Sequence, residues 1–159
     1  MGQLTSAAIT YLEHKAPRRR QIRFRTRGAS LGLSATRRDR LVCQIEAGLP
    51  FKALESLATV SGLPVDLIAS TLRIPERTLA RRKAAGKFAL DESERLLRVS
   101  TVFEKAVELF EGDVTGAVTW LTSPKRALGH HTPLAYSRTE LGAREVENLI
   151  GRLEHGVFS

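Results

Sequence analysis

The sequence predicts an all-α fold, and three observations carry that prediction. From Thr36 onward apolar residues recur at three- and four-residue spacing, no convincing period-two segment interrupts them, and glycine or proline stands where one helical pattern gives way to the next. A chain of 159 residues is long enough for one compact domain or two small ones sharing a core. With aromatics at only 6%, that core must be mostly aliphatic. Apolar residues at 42% and charged ones at 26% fit neither a wholly disordered chain nor a membrane protein. No run approaches the roughly 18 apolar residues of a membrane span, and Met1 to Leu12 lacks the basic start and long apolar stretch of a leader. A cytoplasmic location without membrane contact is therefore expected.

The elements follow in order. Leu41, Val42, Ile45 and Leu49 mark a first helix, with Ser34 or Thr36 as N-cap and Gly48 as stop. Within it Cys43, the only cysteine, reads as a buried small hydrophobe. Pro50 opens a second helix with an apolar stripe of Phe51, Leu54, Leu57 and Ala58, closed by Gly62. Pro64 opens a third, carrying Val65, Leu67, Ile68 and Leu72. After the short break Arg73-Ile74-Pro75, Glu76 to Ala85 is rich in helix formers, with Leu79 as its main anchor and Gly86 as C-cap. Asp91 and Glu94 have capping-box spacing ahead of a longer helix that uses Leu96, Leu97, Val99, Val102, Phe103, Val107 and Phe110 and ends at Gly112. Asp113 caps a short helix holding Val114, Ala117, Val118 and Leu121, in which Trp120 reads as a core anchor. Lys125 to Pro133 is irregular. A last helix carries Ala143, Val146, Leu149, Ile150 and Leu153 and ends before Gly156.

Charge is distributed unevenly. The formal net charge is +8, yet Lys15 to Arg40 alone is +9, Arg73 to Lys87 is +5, and Asp91 to Leu121 is −4. An excess confined to the first 87 residues is expected when one half meets nucleic acid and the other meets protein. The tract Arg18 to Gly28 has few apolar residues and no helical period, so it reads as flexible in isolation. It is either a phosphate-contacting arm or a solvated tail; like charges this dense repel unless an anion neutralises them.

Two short helices joined by a break of about three residues have the spacing of a helix-turn-helix, whose second helix enters the major groove. Arg77, Thr78, Arg81, Arg82, Lys83 and Lys87 lie on or near the outer side of that second helix, with Leu79, Ala80 and Ala84 inward. An arginine near the helix start is placed to bond guanine, and later bases meet phosphates. The plainer alternative is a basic solvated helix in an ordinary bundle. A monomer of this size offers little contact area, so specific binding requires a homodimer on two half-sites about one helical turn apart.

The C-terminal half adds Ala117-Val118-Thr119-Trp120-Leu121-Thr122-Ser123-Pro124, then Arg126-Ala127-Leu128-Gly129, Thr132-Pro133-Leu134, and Leu141-Gly142-Ala143-Arg144-Glu145-Val146-Glu147 running to Gly156. In this order of motifs the chain resembles the MbcA/ParS/Xre family of antitoxins, in particular those paired with RES-domain toxins. The resemblance extends back to about Ala53. It implies an Xre/Cro-like helix-turn-helix part followed by a small helical toxin-binding domain, in a homodimeric antitoxin that binds its own operator and covers the active site of an NAD-consuming toxin. On the resemblance, the toxin-facing residues are Arg144, Glu147, Arg152, His155, Gly156, Val157, Phe158 and Ser159. The resulting division is a basic arm at 1–33, a DNA-binding and dimerisation part at 34–88, and a toxin-binding part at 89–159. Lys125 and the pair His130-His131 depart from the family pattern, and the Arg-rich tract lies outside it.

Taken as residues alone, Gly129, Pro133 and Gly142 are backbone punctuation, and Glu140 with Arg144 is a helical ion pair. His14, His130, His131 and His155 lack any metal-ligand spacing, no Gly-x-Ser-x-Gly motif supplies a nucleophile, and no glycine loop is followed by Lys-Ser or Lys-Thr. No catalytic residue, metal or cofactor is therefore expected. A stand-alone helix-turn-helix repressor with a C-terminal dimerisation domain is the alternative function. RNA binding is weaker still, because Phe24 is the only aromatic in the basic tract.

Overall fold

The structure, a computed structural model, describes residues 21–34 and 37–156. Within them are eight α-helices: α1 (Arg38–Ala47), α2 (Phe51–Ser61), α3 (Val65–Thr71), α4 (Glu76–Ala85), α5 (Leu90–Leu109), α6 (Val114–Leu121), α7 (Pro133–Tyr136) and α8 (Glu140–Glu154). Two short 3-10 turns, Ala29–Leu31 and Arg126–Leu128, complete the order, and no strand occurs among the described residues. The fold is all-α.

The arrangement follows from α5. Its 20 residues, about 30 Å of helix, bury not only Leu96, Val99, Val102, Phe103 and Val107 but also Ser93, Ser100, Thr101 and Glu104. A helix buried on nearly every side must be central, and α1, α6, α8 and the first 3-10 turn all pack on it. One contiguous core runs from Leu31 through Leu54, Leu96 and Phe103 to Ile150, so the two halves share their interior. Serine hydroxyls on the buried faces bond backbone groups: Ser93 Oγ accepts from Leu49 N at 2.8 Å and donates to Ala89 O.

Several local expectations are corrected. Only Leu41, Ile45 and Leu49 of the first apolar pattern face the core, leaving Val42 54% exposed and the Cys43 thiol at the surface. The α1 N-cap is Arg37, paired with Asp39, and not Ser34; Thr36 lies outside the described residues. Leu67 of α3 is exposed as well. Helix α5 begins two residues earlier than the Asp91–Glu94 spacing implied: Ala89 is its N-cap, and Glu92 Oε2 accepts from Ala89 N at 2.8 Å. Trp120 is half-buried against the core, with the Lys125 ammonium 5.4 Å from its ring centre. The stretch expected to be irregular forms the second 3-10 turn, closed by a Lys125–His131 bridge, and then α7, which Thr132 caps.

The basic tract is also corrected where it is described; Arg18 to Arg20 lie outside. Ile22, Phe24 and Thr26 turn inward in alternation with exposed Arg23, Arg25 and Arg27. Ile22 N donates to Gly112 O at 3.1 Å, and the Phe24 ring meets Phe103 at 5.7 Å. The following turn is held by buried Glu104, which accepts from Gly28 N, Ser30 N and Ser30 Oγ at 3.1, 2.8 and 2.6 Å. Gly112, with φ of 92°, has no room for a Cβ beside the Ile22 carbonyl. Residues 22–33 are thus packed into the fold.

Candidate functional site

The first candidate surface is built on α4. Pro75 sets the extended entry, Gly86 the left-handed exit, and buried Ile74 plugs the turn from α3 by donating its N–H to Ala69 O at 3.0 Å. The far end is fixed too: Phe88 N donates to Leu49 O at 2.9 Å, Phe51 N to Gly86 O at 2.8 Å, and the Phe51 and Phe88 rings stack at 5.4 Å. No α4 residue is buried, and Leu79 is its half-buried foot. Ala80 and Ala84, expected inward, are exposed. At about 100° per residue they share one face with Arg77 and Arg81, so small side chains alternate with guanidinium groups. Small apolar groups beside arginines suit close approach to base edges and thymine methyls.

Arg77, Arg81, Lys83 and Lys87 are exposed and make no ion pair among the described residues, and Thr78 is half-buried at the edge. Arg82 differs from the reading that placed it outward. Its Nε and Nη2 donate to Glu92 at 2.7 and 3.2 Å, and the Glu92 side chain is only 7% exposed. This pair ties α4 to the first turn of α5.

The second candidate surface is the outer face of α8. Thr139 caps this helix, and Gly142 is less punctuation than contact: a Cβ there would overlap the Tyr136 carbonyl oxygen. The core side carries Ala143, Val146, Leu149 and Ile150. Opposite stand Arg144, Asn148 and His155, all exposed, with Leu141 beside them at 72% exposure. Leu141 and Asn148 were missed from sequence; a large aliphatic residue out of phase with the core stripe was the available signal.

Of the expected residues, Arg144 donates to Glu140 at 3.1 Å, and Glu140 also accepts from Arg98 at 2.9 Å. These hydrogen bonds, Arg144 first, hold the Glu140 carboxyl below its ordinary value. Glu147 is half-buried and paired with Lys105 of α5. Arg152 is half-buried, His155 has Nδ1 2.7 Å from Gly151 O, and Gly156 turns with φ of 65°. Val157, Phe158 and Ser159 lie outside the described residues. Between α8, α5 and the N-terminal segment is a depression of about 440 Å3 lined by Phe24, Arg25, Lys105, Glu108, Arg144 and Glu147.

Comparison with known proteins gives two matched domains, one over each half of the fold. Residues 40–100 match the family model of an antitoxin Xre-like helix-turn-helix domain, and residues 105–156 that of an antitoxin Xre/MbcA/ParS C-terminal toxin-binding domain. Over 130 residues the chain is 43% identical to antitoxin Xre of Yersinia enterocolitica, covering 81% of this chain and 88% of that one. The chain belongs to the Xre antitoxin family. A second antitoxin Xre, from Photorhabdus laumondii, is 37% identical over 131 residues, covering 82% and 88% of the two chains. That of Pseudomonas putida is 32% identical over 84 residues, covering 52% of each. This Xre antitoxin is thus a binding and regulatory protein and not an enzyme, with α4 in its helix-turn-helix part and α8 in its toxin-binding part. No described helix is long and apolar enough to cross a membrane.

Proposed function

We propose that this antitoxin neutralises a RES-domain, NAD-degrading toxin by covering its active site with the C-terminal region, and represses its own operon as a homodimer on operator DNA. The neutralising set is Arg144, Glu147, Arg152, His155 and Gly156 to Ser159, joined by Leu141. The DNA set is Arg77, Thr78, Arg81, Lys83 and Lys87; Arg82 is left out because Glu92 holds it. Residues 34–88 serve the operator, residues 89–159 the toxin, and both partners place the action in the cytoplasm. The observation that carries this reading is the outer face of α8, where Leu141 stands exposed beside Arg144 within the matched toxin-binding domain. Set within the matched toxin-binding domain, this apolar and charged pair supports a protein contact on that face.

The test expresses the neighbouring gene from an inducible promoter, with cellular NAD and growth as readouts, and supplies this protein in trans. Rescue of both is expected, and deletion of Gly156 to Ser159 should weaken rescue while leaving operator binding intact. Arg81→Ala should do the reverse, lowering operator affinity and reducing the slope of log affinity against log salt by about 0.9 if that arginine meets one phosphate. Growth arrest with undiminished NAD would sink the RES assignment. Equal rescue by the truncated form would exclude the C-terminal tip.

A further inference from the structure

Among the described residues nothing covers the outer face of α1. Val42 there is 54% exposed, and Leu90 at the start of α5 is 50% exposed. With Leu41, Ile45 and Leu97 they floor a groove of about 920 Å3 between α1 and the first half of α5. Along α1, Arg38, Val42 and Glu46 stand four residues apart and so form one line on the helix surface: cation, apolar group, anion. Arg38 and Glu46 make no ion pair among the described residues.

Such a line is its own complement when reversed. We infer that this face docks a second copy of the chain, α1 against α1 in antiparallel, about a two-fold axis at Val42. Arg38 of each copy then meets Glu46 of the other, a pair made twice by symmetry, and Val42 meets its counterpart once on the axis. A parallel arrangement would set Arg38 against Arg38, and a partner of one charge sign would satisfy only one end. The inference rests on the homodimer proposed above and names its surface. Cys43, the only cysteine, follows Val42 by one position; helix axes 8–10 Å apart bring the two thiols within about 10 Å.

Sedimentation equilibrium on the full chain tests it. The unaltered protein should be a dimer, and Arg38→Glu or Glu46→Arg alone should each raise the dimer Kd at least about tenfold by opposing like charges twice. The double variant Arg38→Glu/Glu46→Arg should return it to within about threefold, because the reversed pair is again complementary. Val42→Asp should give monomer with unchanged helical circular dichroism, and a short bismaleimide should join two unaltered chains through Cys43. A chain monomeric at every concentration would overturn this surface and the homodimer together. A dimer unmoved by the single variants would overturn the surface and leave the homodimer standing. A double variant no better than the singles would overturn the antiparallel pairing.

Discussion

Two charged residues bind the segments of this protein together, and neither behaves as a surface group. Removing the Arg82 guanidinium leaves the Glu92 carboxylate buried with a single backbone donor. Arg82→Ala should therefore cost about 2–3 kcal/mol of stability in urea unfolding, unlike the exposed Arg81→Ala, which should cost almost nothing. Glu104 is held differently. Burial pushes its carboxyl above the ordinary 4.5, against the lowering effect of hydrogen bonds from Ser30 and Gly28. The native state then keeps a proton that the unfolded chain releases, so this contribution is full below about 4.5 and is lost as pH rises through the raised native value. Glu104→Gln should remove that part of the pH dependence of the unfolding midpoint. It should also lower stability by about 1–3 kcal/mol, because an amide NH2 then faces a backbone N–H donor.

The helices owe their placement to close backbone approaches as much as to apolar faces. Gly142 lets the first turn of α8 sit on the carbonyl end of α7, so Gly142→Ala should destabilise the protein by about 3 kcal/mol, read as a lowered thermal midpoint. Most helix limits were legible in the sequence, because Pro50, Pro64 and Pro75 open helices and Gly48, Gly62 and Gly86 close them. Helix α7 was not, since four residues carry no period. The alternation Ile22, Phe24, Thr26 was present but hidden under arginines, and a two-residue period says nothing about which surface it packs on. Val42 and Cys43 were misread because α1 buries a stripe narrower than its apolar pattern. At the candidate sites, charge and exposure of Arg77, Arg81 and Arg144 could be read from the sequence. The partners of Arg82 and Glu147 could not, because each lies on another helix, at a register only the tertiary fold sets.

At the scale of the whole molecule, the two family domains are not separate bodies. The helix-turn-helix match ends at residue 100 and the toxin-binding match begins at 105, both inside α5. The core crosses that boundary without a break, and the N-terminal segment crosses it again, running along α5 from Gly112 to the turn held by Glu104. Glu92 near one end of α5 grips α4, and Lys105, thirteen positions further on, grips α8. At 1.5 Å per residue those two grips are about 20 Å apart on a rigid rod. The rod acts as a ruler: on the function proposed above, it would set both the height and the azimuth at which a toxin held on α8 stands over a duplex read by α4. Where toxins sit around an occupied operator would then be a matter of helical phase, written in the number of residues in α5.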